Sequence, residues 1–185
     1  MMDHRERMTA CLAGEKPDRV PVAFWRHFPV DDQSPERLAA ATLDFQKTYD
    51  FDLIKVTPAS SYCIRDYGVE DVWRGSAEGT REYSKRVVET PGDWIWLREL
   101  NPRKGSLGDQ LECLKLIKAG NHDNVPVIQT IFSPLAQAKN LIGQQQLLSH
   151  LREYPEEVLH ALQVITRTTI SFLEELQAVG IDGIF

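Results

Sequence analysis

The chain has 185 residues, 42% hydrophobic and 26% charged, the balance of a folded domain with length for one real core rather than of a disordered chain. Its net charge of -6 excludes a surface built to neutralise phosphates, so nucleic acid is not an expected partner. No run approaches the roughly 20 apolar residues of a membrane-spanning helix, and the N-terminal MMDHRERMTACLAGEKPDRVPV lacks the apolar segment of a secretory signal, so the reading is a cytoplasmic protein without a membrane partner.

Residues 3–13 read as a short helix that stops at Gly14, where a left-handed residue suits a helix end. RVPVAFW (19–25) is apolar and valine-rich and is predicted as the first strand. Ser34-Pro35-Glu36 is a helix start, because serine can cap and proline at the first helical position sacrifices no needed N–H. Leu38, Ala41, Phe45 and Tyr49 follow three and four apart and predict an amphipathic helix. FDLIKV (51–56), closed by TPASS, is the second strand. From Tyr62 to Pro102 no single period dominates; GVEDVW, EYSKRVVE and DWIWLREL alternate as short β pieces would, with Trp94 and Trp96 packed on the body.

Residues 106–119 return to helix on a stripe of Leu107, Leu111, Leu114 and Ile117, with Gly120 as terminator. PVIQTIF (126–132) reads as a strand buried on both faces, the pattern of parallel sheets covered by helices. Ser133-Pro134 repeats the earlier start signal and opens LAQAKNLIG, a short helix over 144–152 follows, and Pro155 begins a long one. Its apolar positions are Val158, Leu162, Ile165, Phe172 and Leu176, and Gly180 closes it before the strand IDGIF (181–185). Strands alternating with helices predict an α/β chain of parallel βα units, a (β/α)8 TIM-type barrel in incomplete form. IDGIF has no downstream neighbour, so residues 1–185 are expected to be about the N-terminal half, roughly four parallel strands with covering helices, of a barrel that takes about 250 residues.

Cys11, Cys63 and Cys113 are odd in number and far apart, so they are expected as reduced thiols filling small core spaces. Arg26 is the first candidate ligand contact, at the strand end where barrel sites lie, with a surface ion pair as its alternative. His27 is a proton donor, an anion contact or a polar loop residue. Lys55 stands in an otherwise apolar strand, where a lysine is costly to bury unless its ammonium reaches a cleft, water or a partner. Ser60, Ser61 and Tyr62 on the next loop can hydrogen-bond a ligand or cap a turn. Gln129 is polar at a predicted barrel-interior position and is a substrate candidate, whereas Ser133 reads first as an N-cap. Glu70 and Asp71 read as solvated surface, and the basic residues of SKRVV and NPRKG are too scattered for an anion funnel. His27, His122 and His150 have no ligand spacing with Cys63 or Cys113, so no metal site is expected in this chain.

RVPVAFWRH, DFDLIKVTPASSY, PVIQTIFSPLAQAKNLIG and LQAVGIDGIF, in that order, resemble the N-terminal half of the uroporphyrinogen decarboxylase family, which also holds relatives of the methylcobalamin:coenzyme M methyltransferases. The resemblance implies a (β/α)8 barrel with its cleft at the C-terminal strand ends. It implies a carbon–carbon lyase that removes carboxylate from tetrapyrrole acetates without a cofactor, an anionic small-molecule partner (tetrapyrrole or corrinoid), and a homodimer as a conceivable assembly. Arg26 takes the place of the family's first loop arginine, which grips a substrate carboxylate. The second arginine falls on Val30, the decarboxylase aspartate near Thr57 and the substrate tyrosine near Asn140. In the family's chemistry a buried carboxylate stabilises the protonated pyrrole and guanidinium groups hold the outer carboxylates. The alternative branch implies zinc, held by His and Cys outside this chain, and a corrinoid. A third alternative is a truncated chain inactive by itself, or a half-barrel that associates with another chain.

Overall fold

A computed structural model describes residues 1–185. Helix α1 (His4–Leu12) starts on a capping box in which the Asp3 carboxylate accepts from the Glu6 amide at 2.7 Å and Glu6 accepts from the Asp3 amide at 3.0 Å. Two donors that a helix start leaves free are thereby satisfied. Cys11, expected in the core, is on the exposed side of this helix; a nine-residue helix with Arg7 and Ala10 inward leaves that position to solvent.

The segment predicted as the first strand is extended from Val20 to Phe28 but joins no ladder. Pro21 has no N–H to give, and Val22 donates to the Asp52 carboxylate at 2.8 Å while its carbonyl accepts the Asp52 amide at 2.8 Å. A side chain has taken the place of a neighbouring strand's carbonyl. Ser34 and Pro35 open helix α2 (Pro35–Tyr49) as the sequence indicates, with the Arg37 amide donating to Ser34 Oγ. Strand β1 (Ile54–Val56) follows.

The irregular excursion contains a 3-10 turn, an antiparallel hairpin of β2 (Glu70–Val72) and β3 (Glu82–Lys85), and helix α3 (Pro91–Ile95). The alternating DWIWLREL is therefore partly helical, because Thr90 and Asp93 form a capping box around Pro91. Trp94 is fully buried and donates from Nε1 to His150 Nδ1 at 3.0 Å, but Trp96 is 81% exposed and does not pack on the body.

Helix α4 (Gly105–Gly120) buries Leu107, Leu111, Leu114 and Ile117 as their spacing requires, and its Ser106 amide donates to the Asp66 carboxylate at 3.0 Å. Strand β4 (Val127–Gln129) leads to α5 (Pro134–Ile142), α6 (Gln144–Glu153), α7 (Pro155–Val179) and β5 (Gly183–Ile184). Gly180, at φ 79°, ends α7 by donating to the Leu176 and Gln177 carbonyls; that left-handed turn is cheap only for glycine.

The main sheet has three parallel strands in the order β1-β4-β5, not the four expected. Lys55 pairs in register with Ile128, and Ile128 with Gly183. Backbone bonds from Phe185 to Gln129 and from Ile131 to Phe185, both 2.9 Å, continue the β4-β5 contact past the ladder. Helices α2, α4 and α7 cover the sheet, sealing Val56, Val127, Leu114 and Ile165 completely. No helix is long and apolar enough to cross a membrane.

The N-terminal ends of the strands are stapled by charge. Asp52, just before β1, is fully buried and meets Arg7 Nη1 at 2.7 Å, Arg19 Nη2 at 2.9 Å and His4 Nδ1 at 3.0 Å. Burial alone would raise its pKa, but the hydrogen bonds from Arg19, Val22, His4 and Arg7 outweigh it and hold the carboxyl far below the usual carboxylate range. Asp182, just before β5, accepts from Arg5 at 2.5 Å and from the Val127 amide at 2.8 Å.

Candidate active cleft

At the opposite edge of the sheet each strand delivers its C-terminal end to one place. Lys55, Thr57 and Pro58 come from β1, Thr130 and Phe132 from the end of β4, and Phe185 from β5. The extended segment adds Trp25, Arg26 and His27, and the turn between β2 and β3 adds Ala77 and Glu78. Together they line an open cleft of about 680 Å³, sized for a small molecule and set where parallel α/β sheets place their ligands.

Lys55 sits between two aromatic faces, with Nζ 4.1 Å from the Trp25 ring centroid and 3.6 Å from that of Phe185. The two rings are themselves 5.4 Å apart and tilted, so the ammonium is held by cation–π attraction. Burial lowers its pKa from the ordinary lysine value, with no charged neighbour adding to or opposing that shift. Arg26 is exposed, its guanidinium 5.5 Å from the Phe28 ring and its Nε donating to the His27 carbonyl at 3.3 Å. His27 is half-buried; burial lowers its pKa, Asp32 opposes and Lys55 assists, leaving a neutral imidazole at neutral pH. Thr57, where the resemblance places an aspartate, is 5% exposed on the cleft wall. Glu78 is the one carboxylate on that wall.

Arg26, His27 and Lys55 are thus brought together, whereas Tyr62 and Gln129 lie beneath the cleft. Tyr62 Oη donates to the Thr130 carbonyl at 2.9 Å, its ring packs near Phe132 and Phe172, and burial pushes its phenol well above the ordinary value. Gln129 is fully buried; it accepts from Gln110 Nε2 and donates to the Thr130 carbonyl, both at 2.9 Å. These bonds satisfy polar groups that would be expensive to bury alone and fix the backbone on which Thr130 stands. Of the other loop candidates, Ser60 bonds Tyr83 Oη at 3.0 Å, Ser61 accepts from Arg65 at 3.2 Å, and Ser133 caps α5 by accepting from the Ala136 amide at 3.2 Å.

A buried ion cluster stiffens the cleft rim and was not legible in the sequence. Arg81 reaches Asp32 at 2.7 Å and Asp71 at 3.1 Å, with the three side chains 8%, 1% and 1% exposed, and it donates to the Pro29 carbonyl at 2.5 Å. Asp71 is therefore not solvated surface as its sequence context suggests. In the hairpin successive side chains point to opposite faces, so Glu70 goes outward and Asp71 inward. The cluster ties the hairpin to the loop that carries Arg26 and His27. Gly79, at φ 73°, lets the two approach: a β-carbon there would lie 2.5 Å from His27 Cβ. The glycines of RGSAEGT were the available signal for this turn.

No group of three or more His, Cys, Asp or Glu side chains converges as a metal site. Among solved structures, the chain is similar to a methyltransferase from Methanosarcina mazei, with a TM-score of 0.82 and 18% sequence identity. That likeness covers 100% of this chain and 58% of the methyltransferase, so the chain spans a little over half of its length. At that identity it speaks for the fold. No curated protein matches the chain. The profile described as Uroporphyrinogen decarboxylase (URO-D) matches residues 3–185, which agrees with the parallel sheet and with the cleft at its C-terminal edge: the chain belongs to the uroporphyrinogen decarboxylase family.

Proposed function

We propose that the chain forms the carboxylate-gripping part of a (β/α)8 barrel that decarboxylates a tetrapyrrole in the cytoplasm. The reading is supported by one observation above the others: Arg26 and Lys55, neither engaged in an ion pair, line the same cleft beside flat aromatic faces. A pyrrole acetate loses carbon dioxide once a ring carbon is protonated. The electron pair of the C–CO2 bond then flows into the cationic ring, carbon dioxide departs, the exocyclic carbon takes up a proton to become a methyl group, and the ring carbon releases the proton it first accepted, restoring the pyrrole. Cations in the cleft hold the outer carboxylates in place for this step. Glu78 is the carboxylate that this chain offers to the cationic ring, and the neutral imidazole of His27 is suited to relaying a proton.

A second reading, methyl transfer involving a corrinoid, is favoured by Thr57 in place of the aspartate and by the likeness in fold to a methyltransferase. Fluorescence titration with uroporphyrin, followed by anaerobic incubation with uroporphyrinogen and chromatography of the oxidised products, separates the two. Porphyrin binding with stepwise loss of carboxylates supports decarboxylation. A change in the absorbance of added methylcobalamin without porphyrin binding supports methyl transfer and removes the first reading.

A further inference from the structure

We propose that Lys55 is a single-point carboxylate subsite, separate from Arg26, so that the cleft takes a flat ligand bearing at least two carboxylates. This rests on the reading of the cleft as an anion site but assigns a position within it. The ammonium has three N–H donors, and Trp25 and Phe185 cover it from two sides at 4.1 and 3.6 Å without accepting a conventional hydrogen bond. Lys55 also lines the cleft. The lysine is only part-buried, and no carboxylate of the chain pairs with it, so a ligand anion can supply the partner that the protein withholds. A guanidinium would present a wide planar fork, whereas an ammonium enclosed by rings presents a compact charge to one oxygen. The same rings offer flat apolar surface to whatever carries that oxygen. Arg26 differs on each count: it is exposed, on a loop, and free to present a bidentate fork to a second carboxylate. Lys55 stands on a strand, with Val56 and Ile54 sealed on either side, and its ammonium lies between two rings, whereas Arg26 stands on a loop.

The test has two measurements on the 185-residue chain. In the first, uroporphyrin affinity is measured for the wild type, Lys55→Met, Lys55→Arg and Arg26→Ala. Lys55→Met is expected to weaken binding about tenfold, with Lys55→Arg recovering only part of it. In the second, the wild type is reductively methylated with and without benzene-1,2,4-tricarboxylate, and lysines are mapped by peptide mass spectrometry. Lys55 is expected to be protected several-fold, and the exposed Lys16 and Lys47 not at all. Uroporphyrin binding that Arg26→Ala weakens and Lys55→Met leaves unchanged overturns the subsite while sparing the proposed function. Protection of Lys55 by the tricarboxylate without any uroporphyrin binding keeps the subsite and removes the tetrapyrrole. Lys55 methylated equally with and without the tricarboxylate, in a protein that also ignores uroporphyrin, overturns both.

Discussion

Arg81 and Asp32, 49 residues apart, meet at 2.7 Å with side chains 8% and 1% exposed. Asp71 shares the same guanidinium, and its Oδ2 has no hydrogen-bond partner of its own. Removing the cation leaves two sheltered carboxylates facing each other. Arg81→Ala is expected to cost about 3 kcal/mol or more, read as a lowered urea midpoint at pH 7. Arg81→Lys recovers only part of this, because one ammonium cannot reproduce the forked contact with both aspartates and the Pro29 carbonyl.

Gly79 tests how tightly the hairpin tip is set against the loop. An added methyl meets His27 Cβ at 2.5 Å and Pro29 Cδ at 3.2 Å, in a backbone conformation that L side chains rarely adopt. Gly79→Ala should lower stability by about 1–3 kcal/mol and displace His27, which NMR would detect as a shifted imidazole resonance. An unmoved His27 signal would show that the tip yields instead.

Thiol chemistry separates the three cysteines. Burial pushes Cys63 and Cys113 up to about 12, so at pH 8 roughly one thiol in ten thousand is ionised at each. Cys11 is exposed. Iodoacetamide at pH 8 should label Cys11 alone on the native chain and all three in urea. Labelling of Cys113 at the rate of Cys11 would contradict the packing of α4.

Acid sensitivity follows from Asp18 and Asp52, which both accept hydrogen bonds from Arg7. A hydrogen bond from Arg7 holds Asp18 down to about 2, and Asp52 lies below the usual range through several bonds. Both folded values are lower than the unfolded value of about 3.9. Their contribution is therefore complete above about pH 4 and is withdrawn as pH falls through the folded values. Urea midpoints should drop as pH goes from 4 to 2, with a shallower fall in Asp52→Asn, whose neutral side chain has no proton to gain.

Much of this arrangement was open to reading from residue order. Ser34-Pro35 and Ser133-Pro134 carry their own capping chemistry, and the Leu107–Ile117 stripe buries as its spacing requires. Three of the four predicted strands, FDLIKV, PVIQTIF and IDGIF, hold an observed one, and Lys55 and Arg26 could be singled out because a charge in or beside an apolar run needs a reason. What escaped depended on partners distant in sequence. Val22 is denied a ladder by Asp52, Asp71 is drawn inward by Arg81, and Gln129 is claimed by Gln110 before any ligand could reach it. Trp96 misled because alternation in a short stretch also fits one turn of helix, and the Thr90–Asp93 cap decides between them.

Helix α1 has a role beyond its nine residues. Arg7 and Arg5 leave it to grip Asp52 and Asp182, each stationed at the foot of a different strand. Helix α1 is thus joined to a segment 177 residues further along the chain, and its two arginines find both partners only when both strands are in place. Removal of residues 1–12 would take away the latch that Arg5 and Arg7 form across the two strand feet, and the shortened form should be loosely closed and protease-sensitive even with every cleft residue intact.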